Sequence, residues 1–179
     1  MSSEIAQSLA LIATHEGSQY AISYKEVLKA QKAWCDGVVK ISQLHQNGEN
    51  YRAQAEQFLA EAYDFAHGKV FFKPTLAYGA QTFRNDVQAA LSYFVGGNDS
   101  YPTDTGFALK SWVKARFENA GGDEAGIQIF GSLAITMGNV WFTNTDGNDT
   151  MVDKTFIFRK GADGKLRLVL HHSSLPFSP

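Results

Sequence analysis

Met151–Arg159 (MVDKTFIFR) and Leu166–Ser173 (LRLVLHHS), joined across Gly161-Ala162-Asp163-Gly164, read as two antiparallel strands. Both runs are rich in β-branched and aromatic residues, and the segment between them carries turn residues. The pattern extends upstream. Asp146-Gly147-Asn148 is a hairpin signal, with Val140–Asn144 leading into it. Before that, Ile127–Met137 is β-like, Gly121-Gly122 is a turn, and Trp112–Phe117 alternates. The second half of the chain is therefore a meander of about four strands.

The first half has helical period. Ile5, Leu9 and Ile12 form one stripe over Ser2–Ile12. Ser23 and Glu26 make a capping-box pattern ahead of Val27, Ala30, Trp34, Val38, Ile41 and Leu44, and Asn47-Gly48 ends that helix. Asn50 caps a second helix with stripe Tyr51, Ala55, Phe58, Ala62 and Phe65, stopped by Gly68. Val70–Lys73 is a brief extended run ended by Pro74. Thr82 is expected to cap a third helix to Val95, with Phe83, Val87, Ala90, Leu91 and Phe94 inward. Helices followed by strands define an α+β fold. Because strands twist, the antiparallel sheet must curve strongly around the N-terminal helices, giving a cone with an open mouth.

At 179 residues the chain suits one domain, 1–179, with residues 1–20 as an N-terminal arm or short helix. Sixteen Lys and Arg against eighteen Asp and Glu leave a charge of −2, and no block of like charge appears. A duplex-binding face needs clustered cations, so nucleic acid is not an expected partner. Cys35 is the only cysteine, which fits a reducing compartment. The first residues lack the positive charges of a signal peptide, and no apolar run approaches the roughly 20 residues of a membrane span. A cytoplasmic protein without membrane association is expected.

The five histidines, His15, His45, His67, His171 and His172, do not converge at metal-ligand spacing. His171 and His172 are adjacent on a strand and point to opposite faces. No phosphate loop or nucleophile elbow is present, and Cys35, mid-helix among apolar neighbours, reads as a core residue. The last strand carries the polar cluster. Leu166, Leu168 and Leu170 share a face, and period two continues it to His172 and Ser174. If the leucines line the cone, His172 and Ser174 stand at the rim of an apolar pocket, with His171 and Ser173 outside. The opposite parity, and a merely solvated strand end, stay open at this point.

His171-His172-Ser173-Ser174, preceded by Leu166–Leu170 and followed by Leu175-Pro176, resembles the C-terminal signature of the iota-class carbonic anhydrases. Those proteins typically carry three histidines and two serines, and Leu170 replaces the first histidine here. The ending is also similar to the association domain of calmodulin-dependent kinase II. Both belong to the NTF2-like, or SnoaL-like, superfamily of cone-shaped α+β barrels. The resemblance to the iota class implies a metal-independent enzyme without cofactor that interconverts CO₂ and bicarbonate. It implies a threonine and a tyrosine in the pocket, matched by Thr75 and Tyr93. The implied catalytic and substrate-binding set is Thr75, Tyr93, His172 and Ser174, with no metal ligand. His172 or Tyr93 would accept the proton, His172 being preferred because imidazole titrates near 6.5. Phe72 and Phe94 would hold the apolar CO₂.

Two other readings compete. An association-domain-like hub would assemble through sheet aromatics such as Trp112 and Trp141, which would equally serve a homodimer. A SnoaL-like cyclase or isomerase of a small ring substrate would need a pocket carboxylate, for which Asp99 and Asp104 are candidates. Ring assembly without turnover marks the first, and binding of ring ligands the second.

Overall fold

Ser23 opens the first described helix as its sequence pattern requires. A computed structural model describes residues 20–178, so the arm or short helix expected over residues 1–20 lies, apart from Tyr20, outside the described residues. Helix α1 spans Tyr24–Gln46, and its capping box is complete. Ser23 Oγ accepts from the Glu26 amide at 3.3 Å, and the Glu26 carboxylate accepts from the Ser23 amide at 2.9 Å. Its buried stripe holds Val27, Gln31, Trp34, Cys35, Val38 and Ile41. Helix α2, Tyr51–Ala62, is capped by Asn50, whose Oδ1 accepts from the Ala53 amide at 3.1 Å.

Helix α3 is shorter than its sequence pattern predicts. It runs Val87–Val95 and is capped by Asp86, not Thr82, while Gly79–Gln81 form a 3₁₀ turn. The cause is a competing set of bonds to the first strand, β1 (Phe71–Lys73). The Arg84 amide donates to the Phe72 carbonyl at 2.8 Å, and Asn85 Oδ1 accepts from the Phe72 amide at 2.9 Å. Those bonds hold residues 84–85 out of the helix, so Phe83 and Val87, expected inward, are exposed instead.

The remaining strands are β2 (Trp112–Asn119), β3 (Ile127–Phe130), β4 (Leu133–Asn144), β5 (Asp149–Lys160) and β6 (Leu166–Ser174). The expected single run Ile127–Met137 is a hairpin, because Gly131 adopts φ 59° between Phe130 and Leu133. The sheet order is β1-β6-β5-β4-β2, with β3 continuing beside β4 where β2 leaves it. Strand β1 joins the edge parallel to β6, pairing Lys73 with His172.

Helix α1 lies in the concavity, and Trp34 is its centre. The indole makes edge contacts with Phe94, Phe142 and Phe156 at ring-centroid distances of 6.5, 6.3 and 5.3 Å. Burying each such ring contributes about 1.5–3 kcal/mol. Trp112, expected on the outer sheet surface, is buried, and its Nε1 donates to the Phe107 carbonyl at 2.8 Å. Trp141 is partly exposed, donates to Glu118 and lies under Arg116.

On β5 the inward residues alternate without a break: Val152, Lys154, Phe156 and Phe158. Strand β6 does not alternate. Phe158 pairs with Leu168 and Ile157 with Leu170, which leaves Val169 unpaired as a bulge. Past the bulge the parity reverses. Phe156 faces His171 and Lys154 faces Ser173, so His171 and Ser173 are buried and His172 is exposed. The expectation of His172 and Ser174 on the interior face is therefore corrected to His171 and Ser173.

Candidate active site

The polar interior begins where β1 and β6 end side by side. Pro74 stops β1, and the chain turns so that Thr75 crosses the end of β6. Thr75 Oγ1 lies 2.6 Å from Ser173 Oγ, and Ser173 Oγ donates to the Asp153 carbonyl at 3.0 Å. A hydroxyl has one proton, so Thr75 must be the donor in the Thr75–Ser173 bond. The Thr75 oxygen is left with lone pairs free to accept. Lys73 Nζ donates to the Ser173 carbonyl at 2.7 Å and places a cation beside the pair.

Tyr93, on α3, completes this corner. Its ring stacks on Phe107 and meets Phe72 edge-on, both at 5.7 Å. Its Oη is buried and makes no hydrogen bond of normal geometry. Burial pushes the phenol well above its ordinary range; the neighbouring Thr75 hydroxyl and the Leu76 backbone act in the opposite, weaker sense. Tyr93 therefore stays protonated near neutrality and is a donor without a fixed acceptor. That combination is costly, about 1–3 kcal/mol, unless a ligand uses it. A cavity of about 40 Å³ adjoins it, lined by Leu76, Tyr93, Asp104, Thr105, Phe107 and neighbours, large enough for a solute of a few atoms.

His171 sits deeper. Both ring nitrogens are engaged: Nδ1 with Tyr63 Oη and Nε2 with Lys154 Nζ, each at 2.8 Å. Trp34 Nε1 donates in turn to Tyr63 Oη at 2.9 Å. Phe72 stacks on the imidazole at 4.5 Å and separates it from Tyr93. Burial, with Lys154 and His172 adding to it, holds His171 well below its usual pKa, so the ring is neutral.

Of the residues singled out from the sequence, Thr75 and Tyr93 meet inside the cone. His172 points outward, and Ser174 Oγ approaches Asp153 Oδ2 at 3.4 Å, away from Tyr93. Phe72 and Phe94 are buried and stacked at 5.8 Å, forming the wall between the two polar clusters. Tyr63, Lys73 and Lys154 were not singled out. In β5, Val152, Phe156 and Phe158 frame Lys154 at inward parity, and that was the available signal for a buried lysine. Asp104, the carboxylate a cyclase would use, is bonded to Arg84 Nη2 at 3.0 Å and Ser92 Oγ at 2.7 Å. It anchors the loop and is not free to act as a base. Among the described residues no group of three His, Cys, Asp or Glu could hold a metal ion.

A curved antiparallel sheet wrapped on a long helix, with a small polar pocket at one end, places the chain among the cone-shaped NTF2-like folds. A calcium/calmodulin-dependent kinase II association domain from Xanthomonas campestris superposes with TM-score 0.54 at 17% identity, over 83% of this chain and 84% of that one. An NTF2-like family protein from Streptomyces avermitilis gives 0.54 at 15%, over 86% and 96%. Likeness at that level concerns the fold alone.

The sequence model of the metal-independent carbonic anhydrase family matches residues 25–175, and the chain belongs to that family. It is 46% identical over 159 residues to a metal-independent carbonic anhydrase of Nostoc sp. (strain PCC 7120), covering 88% of this chain and 75% of the relative. A cyanobacterial iota-carbonic anhydrase solved with bicarbonate superposes with TM-score 0.85 at 46% identity, over 89% of this chain and 96% of that one.

Proposed function

We propose that this carbonic anhydrase hydrates carbon dioxide at the corner formed by Tyr93, Thr75 and Ser173, with His171 behind them. The single observation that carries the assignment is the buried, unpartnered Tyr93 hydroxyl beside Thr75. The enzyme is metal-independent, so water must be activated by position and hydrogen bonding.

The proposed poses follow the hydrogen-bond directions. Thr75 Oγ1, having given its proton to Ser173, accepts from the attacking water and turns a water lone pair toward the carbon of CO₂. Tyr93 Oη donates to a CO₂ oxygen as negative charge develops there, the role of an oxyanion-stabilising donor. In reverse, bicarbonate donates its hydroxyl to Thr75 and accepts from Tyr93. A phenol whose pKa burial has raised does not take the proton, so Tyr93 is the donor and not the base.

Chelator-treated protein is expected to hydrate CO₂ in stopped flow, at a rate unchanged by removing metal. Activity that returned only with added metal would refute this mechanism. We further propose a homodimer through the outer face of the sheet, where Phe130, Leu133, Ile135 and Met137 are exposed together on β3 and β4. Sedimentation of a Met137→Glu variant as a monomer, with the wild type a dimer, is the expected result. A cytoplasmic setting is proposed on the lone, buried Cys35.

A further inference from the structure

Hydration releases a proton, and none of the three hydroxyls at the corner accepts one near neutrality. The alcohols are too weakly basic, and Tyr93 is held as a phenol. Lys154 neighbours one of them, Ser173. It pairs directly across the β5–β6 ladder with Ser173, on the inward face, where facing Cβ atoms are about 4.5–5.5 Å apart. Its side chain is buried, its Nζ meets His171 Nε2 at 2.8 Å, and it lies 4.9 Å from the Trp34 ring. Among the described residues it makes no ion pair with a carboxylate.

Resting on the reading above, we propose that Lys154 is the interior proton acceptor of the reaction, coupled to His171 and placed by its pairing with Ser173. The balance is CO₂ + H₂O + Lys154–NH₂ → HCO₃⁻ + Lys154–NH₃⁺. The water O–H bond breaks as its oxygen bonds carbon, and the proton ends on Nζ. The ammonium then stands as counter-charge to the bicarbonate just formed. Release of the proton to solvent resets the amine.

The surroundings favour such a cycle. From α1, Lys154 is faced by the Trp34 ring and the Cys35 thiol, which burial pushes up to about 12 and so keeps neutral. From β1 the Lys73 ammonium opposes a second positive charge, and β6 presents His171. Strand β4 presents Gly138, with no side chain. Burial chiefly, then Lys73, brings the amine down to about 7, where it can both take and return a proton.

The pair also carries a signature. An ammonium has no lone pair, so Nζ must donate to Nε2, and the His171 proton must sit on Nδ1. An amine can accept from Nε2–H, with Tyr63 O–H donating to Nδ1. Protonation of Lys154 therefore fixes the His171 proton on Nδ1, whereas the neutral amine also admits it on Nε2.

The test uses the full chain with Lys154→Arg, which keeps the charge and cannot release it, and Lys154→Met. Wild-type hydration kcat is expected to rise through an inflection near the amine pKa. Both variants, folded, should lose about 10²-fold and lose the inflection. A folded variant that keeps the wild-type pH profile overturns the proposal. Should neither fold, nitrogen NMR of the wild type decides. A lysine Nζ titrating near neutrality together with a His171 tautomer change supports the proposal. No lysine titrating between about pH 6 and 8 overturns it. A wild-type protein without any hydration activity would instead sink the parent reading, and the NMR outcome would still stand separately.

Discussion

Replacing Tyr93 by Phe separates function from packing more cleanly than any other change at this site. The ring lies 5.7 Å from Phe72, 5.6 Å from Phe94 and 5.7 Å from Phe107, and all three contacts survive the substitution. The hydroxyl lost is buried and makes no regular hydrogen bond. Deleting an unsatisfied buried group relieves a desolvation cost of about 1–3 kcal/mol. Stability should hold or rise, with each kcal/mol gained raising Tm by about 2–4 °C in a domain of this size. Activity should move the other way. A hydrogen bond to a developing anion contributes about 1.5–3 kcal/mol, so kcat/KM for hydration should fall about 10- to 150-fold. Thermal melts and stopped-flow hydration on the same preparation measure both. A Tyr93→Phe variant that melted well below wild type would show that the hydroxyl is structurally bonded. A stable variant with full activity would show that it never meets substrate. Either result refutes the reasoning.

Other consequences follow from the same geometry. His172→Ala, at an exposed position, should keep activity within about twofold, since surface changes rarely matter; a loss beyond tenfold in hydration assays would reverse the parity assignment. Thr75→Val removes the acceptor that orients water and should cost about 10²-fold in kcat, while Ser173→Ala, which frees the Thr75 proton, should cost less; equal effects in stopped flow would contradict the hydrogen-bond directions. Burial lowers the pKa of His171, so below its ordinary 6.5 the unfolded chain binds a proton that the folded chain refuses. Stability should therefore fall as pH drops through 6.5, by up to about 1.4 kcal/mol per pH unit until the folded pKa is reached. Urea midpoints that stay flat between about pH 7 and 5 would refute it.

Much of the architecture is legible without coordinates because its signals are local. The capping box at Ser23 and Glu26, the Asn50 cap and the hairpin at Asp146-Gly147-Asn148 each depend on bonds spanning a few residues. Thr75 and Tyr93 were reached through resemblance, and only the fold brings them together inside the cone. Where a local signal failed, a distant partner had outbid it. Thr82 reads as a cap, but the Phe72 backbone holds Arg84 and Asn85 out of the helix and delays α3 to Val87. Trp112 reads as outward until Phe107 supplies a buried carbonyl for its indole.

The order of elements, the α+β class and the polar ending of β6 followed from composition and periodicity alone, since caps, turns and alternation are encoded over a few residues. Which face of that ending looks inward was settled by the assembled sheet. Val169 is left unpaired against β5, and one unpaired residue exchanges His172 and Ser174 for His171 and Ser173. Nothing in Leu166–Leu170 announces the bulge, because period two is a property of a paired strand and the pairing belongs to both strands at once.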